Sequence, residues 1–155
     1  MADLLSVRDL RIEATAYPPG EPPRPVTLVD GVSSDLARGR VLARAGASGA
    51  GKSTIGLATL AYGRGGARIT GGRVLLNGQD ILALSPAGVR ALRGSKVTYV
   101  AQSAAAAFNP AHRLGEQVIE AALRHGLMTR AEAVVRARRL FGVLGLPDPD
   151  GFGER

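Results

Sequence analysis

Gly46-Ala47-Ser48-Gly49-Ala50-Gly51-Lys52-Ser53-Thr54 is the stretch on which the reading of this chain turns. It satisfies G-x-x-x-x-G-K-[ST] at every position. The chain holds 21 glycines, two lysines and fifteen serines or threonines among 155 residues. With that composition the expected number of accidental matches is about 0.003. Before the motif lies a short apolar run, residues 41–45, and after it residues 52–62 are apolar nearly all round. That order predicts a strand, a glycine-rich turn and a buried helix.

Each residue type in the motif has a physical reason. Glycines reach positive φ and let backbone N–H groups approach phosphate oxygens with no Cβ in the way. A helix beginning near Lys52 points its positive end at the same anion. Lys52 supplies a point charge for β- and γ-phosphates, Ser53 a hydroxyl for Mg²⁺, and Thr54 a hydroxyl for an α-phosphate oxygen. The competing reading is a glycine turn that binds nothing. A GTPase also needs an Asn-Lys-x-Asp base reader, and neither Lys52 nor Lys96 is preceded by Asn.

Composition narrows the classes further. The hydrophobic share of 45% supplies a core for one modest domain. Absence of cysteine removes disulfide frameworks, thiolate metal sites and cysteine nucleophiles. No apolar run reaches the roughly 18 residues that span a bilayer. Asp3 interrupts the start where a signal peptide would turn apolar, so a soluble, non-secreted protein is expected. The net charge of +7 sits in residues 51–113, where eight basic side chains meet one acid, Asp80. Such a patch suits a polyanion, or acidic partners on another surface. An aromatic share of 4% with no Trp speaks against a base-stacking nucleic-acid platform.

Working outward, residues 4–12 and 26–32 read as strands, with a proline-rich surface loop at 18–25. Residues 73–76 followed by Asn77-Gly78 read as a hairpin. A short helix is expected over 86–92 with Ser85 as its cap, and a strand over 96–101. Two helices follow, one over 116–124. The other opens with the capping-box spacing Thr129-Arg130-Ala131-Glu132 and ends at Gly145.

Beyond the glycine loop, several segments carry a family resemblance. Gly71-Gly72-Arg73-Val74-Leu75-Leu76-Asn77-Gly78-Gln79-Asp80-Ile81 resembles the β-hairpin that follows the P-loop helix in ABC-transporter ATPases. Lys96-Val97-Thr98-Tyr99-Val100-Ala101-Gln102 resembles the strand that delivers their Q-loop glutamine. Ala107-Phe108-Asn109-Pro110, Gly115-Glu116-Gln117-Val118-Ile119-Glu120 and Leu144-Gly145-Leu146-Pro147-Asp148-Pro149 resemble the oligopeptide and dipeptide importer type. The resemblance runs from about Leu4 to the last residue. It implies an α/β fold, an incomplete P-loop NTPase core with an N-terminal antiparallel β subdomain and a C-terminal helical segment. The β subdomain would take residues 1–45 and 66–84, and the P-loop with its helix 46–62. The strand to the Q-loop would take 96–102, and the start of the helical subdomain 103–155.

The same resemblance implies an ATP-binding subunit of an importer for peptides or similar small solutes, with ATP and Mg²⁺ as its ligands. Gly46, Ser48, Gly49, Ala50, Gly51, Lys52, Ser53 and Thr54 would hold the nucleotide. Gln102 would act in catalysis, sensing the γ-phosphate and sharing the metal with Ser53. Implied partners are transmembrane permease subunits and a second ATP-binding subunit packed head to tail, with no nucleic acid. The implied location is cytoplasmic, peripheral on the inner face of the plasma membrane. Tyr17, the only aromatic before the loop, is either an adenine platform or an exposed loop residue.

In the family an LSGGQ-like signature, an apolar strand ending in Asp-Glu and a switch histidine come later in the chain. None of the three occurs in these 155 residues, so the chain alone is expected not to hydrolyse ATP. An inactive remnant is the alternative, and a basic nucleic-acid-binding module a more distant one. His112 and His125 precede the switch position and read as ordinary residues. Relatives usually carry Glu where Ala47 stands, an apolar residue at Arg44 and an aromatic at Ser34. In a strand buried on both faces Arg44 would be a costly charge. Only 41–45 and 97–101 are candidates for a parallel sheet. The apolar helix is therefore expected to lack cover, and the isolated chain to be prone to aggregate.

Overall fold

The computed structural model describes residues 3–103 and 107–154, which divide into two compact units, residues 1–93 and 94–155. Residues 104–106, within the segment expected to open the helical part, lie outside the described residues.

In the first unit β1 (Asp3–Ala16) pairs antiparallel with β2 (Arg24–Ala37). The proline-rich residues between them form the connection. Pro25 lies within β2 opposite Thr15. It is tolerated because β2 is an edge of the four-stranded sheet, whose order is β2-β1-β3-β4. β3 (Arg68–Leu76) and β4 (Gln79–Asp80) are joined by Asn77 and Gly78, with φ of 52° and 81°. That is the two-residue turn expected of Asn-Gly.

Val7, Leu10 and Ile12 are all fully buried, which strict alternation forbids for residues 7 and 10. A bulge resolves the conflict. Asp9 turns left-handed at φ 46°, and its N–H donates to Ser33 Oγ at 2.9 Å. The register slips against both neighbours at this point. β3 answers with Gly72, whose φ is 91°. A Cβ there would stand 2.5 Å from Arg8 O and 2.6 Å from Asp9 O. Only glycine fits beside the kink.

Helix α1 (Lys52–Ala58) is shorter than the expected 52–62. Ala61 turns left-handed at φ 53°, and Tyr62 N–H donates back to Leu57 O at 3.1 Å, closing the helix end. The carbonyls of Leu60 and Ala61 are then met by Arg93 Nε and Nη2 at 2.9 and 2.8 Å. The same guanidinium lies 5.4 Å from the Tyr62 ring centre. Arg93 follows α2 (Pro86–Leu92), which has the expected Ser85 cap, accepting from Gly88 N–H. Two charge-assisted bonds make Arg93→Ala cost about 2–3 kcal/mol in urea unfolding, and Arg93→Lys should recover little of it because it lacks the fork.

Two sequence expectations are corrected here. Ile55, Leu57, Ala58 and Leu60 are buried, so α1 does not lack cover. The parallel strands expected at 41–45 and 96–101 do not form. These segments are irregular, and they carry the bare apolar surface, with Val41 95% and Val100 90% exposed. An apolar run becomes a strand only where a partner's ladder groups lie alongside it, and neither run pairs with the sheet of β1, β2, β3 and β4. The sheet formed is antiparallel throughout.

The second unit is helical. α3 (Leu114–Arg124) and α4 (Arg130–Val143) pack through Ile119, Ala133, Ala137 and Phe141. Thr129 and Glu132 form the expected capping box, and Gly145 follows the helix end at φ 68°. Gln117 binds the Asn109–His112 turn through Asn109 N–H, Asn109 O and His112 O at 2.8, 3.0 and 2.8 Å. The chain closes in a 3-10 turn, Phe152–Glu154.

Candidate functional site

β2 carries the glycine loop. Gly51, the residue before α1, is left-handed at φ 76°. A Cβ on it would lie 3.1 Å from Leu28 O and 3.4 Å from Val29 Cγ2. Glycine therefore does two things here: it turns the chain into the helix and lets the loop lie against the strand. Ile55 N–H donates to Gly51 O at 2.9 Å and starts the helical ladder. Upstream, Ala50 N–H donates to Ala47 O at 3.2 Å, closing a turn. The Lys52 side chain folds back over it, with Nζ donating to Gly46 O at 2.8 Å and Ala47 O at 2.6 Å. The loop bends round its own ammonium group.

Ser48, Gly49, Ala50 and Ser53 are exposed, and Thr54 is half-buried behind them. No acidic residue occurs in 46–54, and the Lys52 bonds are to neutral carbonyls. The loop thus presents one cation, the exposed hydroxyls of Ser48 and Ser53, one glycine-rich turn and no carboxylate, a set whose charge fits an anion.

The stem of the loop holds a polar contact. Arg44 Nη2 donates to Ser34 Oγ on β2 at 2.9 Å. Its Nη1 is buried without a hydrogen-bond partner. Burial pulls the guanidinium below its ordinary value, although an arginine stays charged. The expectation of a charge inside a parallel strand is thus corrected: the side chain is half-buried and half-satisfied. The unpaired donor still costs about 1–3 kcal/mol. Both residues stand out in the sequence as departures, but nothing at a separation of ten positions announces that they meet.

The other expected site residues lie apart from the loop in chain and element. Tyr17 is 76% exposed on the connection between β1 and β2. Gln102 is an exposed residue outside helix and strand, and belongs to the second unit. His112 is exposed and His125 caps α3. Among the described residues no cluster of three metal-ligating side chains occurs. An open cleft of about 880 Å³ between β3 and α2, lined by Arg68, Ile81 and Arg90 among others, contains no residue of the loop.

Residues 29–150 match the family model for the ABC transporter, and the chain belongs to that family. It is 34% identical over 159 residues to the dipeptide transport ATP-binding protein DppD of Bacillus subtilis, covering 100% of this chain and 44% of that protein. It is 32% identical over 145 residues to the oligopeptide transport ATP-binding protein OppD of Escherichia coli, covering 94% of this chain and 41% of the relative. The glutathione import ATP-binding protein GsiA of Escherichia coli O157:H7 is 38% identical over 123 residues, with 79% and 19% covered. The chain spans less than half the length of these relatives. Among the described residues no helix is long and apolar enough to cross a membrane.

Proposed function

We propose that this chain holds ATP·Mg²⁺ as part of the ATP-binding subunit of an ABC importer for peptides or similar small solutes. The observation that carries this reading is the loop wrapped around the Lys52 ammonium, with Nζ at 2.6–2.8 Å from two neutral carbonyls. A phosphate oxygen competes well for that cation, because a charge–charge contact near a surface is worth about 1–4 kcal/mol at 4 Å. The two carbonyls it would displace are neutral acceptors in an exposed loop, and water can satisfy them once the ammonium turns to the phosphate. Backbone groups of Gly46, Ser48, Gly49, Ala50 and Gly51 would surround the phosphates. Ser53 and Gln102 would hold the metal, Gln102 would sense the γ-phosphate, Thr54 would meet the α-phosphate and Tyr17 would stack on adenine. Bound Mg²⁺ would neutralise charge between the phosphates. The partners in this reading are transmembrane permease subunits and a second ATP-binding subunit, placed at the inner face of the plasma membrane.

Calorimetric titration of the chain with ATP tests the reading. One Mg²⁺-dependent site is expected, with no salt-sensitive retention on immobilised DNA. Absence of any nucleotide heat would overturn it. No apolar strand within the 155 residues ends in Asp-Glu, so phosphate release above background is not expected. Turnover that depends on Lys52 would show that the roles are wrongly assigned.

A further inference from the structure

We propose that Arg44 and Ser34 are positioning residues for the glycine loop, forming a polar strut that fixes its N-terminal stem to β2. The inference rests on the nucleotide-binding reading above, whose affinity the strut would set.

Among the described residues the loop comes close to the same strand at both of its ends. At its C-terminal end Gly51 lies against Leu28 and Val29, where a Cβ would meet Leu28 O at 3.1 Å. At its N-terminal end the tie is Arg44 Nη2 to Ser34 Oγ at 2.9 Å. Leu28 and Ser34 are six residues apart on β2, so the two ties grip separate points along the strand and hold the loop between them. The stem has no strand pairing to hold it in their place: residues 40–47 lie outside helix and sheet, and Val41, three residues before Arg44, is 95% exposed. Without the strut the stem loses its hydrogen bond to β2, and the close approach at Gly51 remains. Gly46, whose carbonyl accepts from Lys52, is two residues from Arg44, so a shift of the stem reaches the ammonium directly.

The chemistry of the pair is selective. Ser34 Oγ is a small acceptor that leaves room for a guanidinium, and Arg44 keeps a second nitrogen, Nη1, buried and unpartnered. A group held at the expense of an unsatisfied donor is not chosen for core stability alone. A polar bond of this kind specifies one geometry where an apolar contact tolerates several.

The test is amide hydrogen exchange on the full chain without nucleotide, together with ATP·Mg²⁺ titration of the same proteins. Ser34→Ala and Arg44→Met are each expected to speed exchange over 46–51 about tenfold while exchange in β1 and β3 stays unchanged. The double variant should match either single one, and Ser34→Thr, which keeps the hydroxyl, should behave as wild type. Affinity for ATP·Mg²⁺ should fall about tenfold in the same two variants. If Arg44→Met loses protection throughout, Ser34→Ala decides, since it removes one oxygen only. Unchanged loop exchange in Ser34→Ala, or fully additive effects in the double variant, overturns the strut. Faster loop exchange with unchanged affinity overturns its positioning role. A wild-type chain that gives no nucleotide heat fails the functional reading instead, and the exchange result still reports on the strut.

Discussion

Lys52→Ala is expected to weaken ATP·Mg²⁺ binding about a hundredfold, measured by calorimetry at fixed salt. Hydrogen bonds to charged groups contribute about 1.5–3 kcal/mol each, and the lysine is the only basic side chain in 46–54. The alanine also removes the two bonds to Gly46 and Ala47 carbonyls. These are exposed, and water replaces them at little cost, so folding should change by less than about 1 kcal/mol. A stable variant with strongly weakened binding is therefore the expected pattern. Equal affinity of wild type and Lys52→Ala would remove the lysine from the site. Higher ionic strength should weaken wild-type binding more than residual binding to the variant, because the lost contact is the charged one.

Gly72→Ala should destabilise the first unit by about 3 kcal/mol, seen as a lower urea midpoint at unchanged slope. Two penalties combine. A left-handed alanine is strained by about 1–2 kcal/mol, and its Cβ would press on the Arg8 and Asp9 backbone at 2.5–2.6 Å. Backbone cannot swing aside as a side chain tip can. Gly78→Ala is the control, with φ of 81° and nothing within 4 Å of its Cβ. It should lose only the strain share. Equal losses at the two positions would mean that the close approach between β1 and β3 is not a constraint. Against a domain stability of about 5–15 kcal/mol, the Gly72 loss is large enough to read without ambiguity.

Local chemistry is legible in the sequence itself. The Asn77-Gly78 turn, the Ser85 cap with Pro86, and the Thr129–Glu132 capping box depend on residues within four positions of one another, and each forms as its residue types demand. The glycine turn before the helix is legible for the same reason, because Gly51 and Lys52 are neighbours and the turn is set by residue types at fixed spacing. The longer-range readings fared differently. Residues 41–45 and 96–101 are apolar enough for buried strands, yet an apolar run alone does not say what it pairs with. Antiparallel pairing by β1, β2 and β3 forms the sheet, and the two runs stay outside it. The helix after the loop was expected to stand uncovered, but Ile55, Leu57 and Leu60 are buried.

From the sequence alone came the family, the glycine-rich turn ahead of the Lys52 helix, and the helix ends and tight turns. All of these are set by neighbours along the chain. Only the tertiary structure decided that Val7 and Leu10 share a face through the Asp9 bulge, that Gly72 is the residue which makes room for it, and that Arg44 reaches Ser34. The first two depend on which backbone lies within a few ångströms across the sheet, which follows from register that one-residue slips reset and no local propensity encodes. The third depends on how the irregular stem at 40–47 returns to β2, which spacing along the chain does not state.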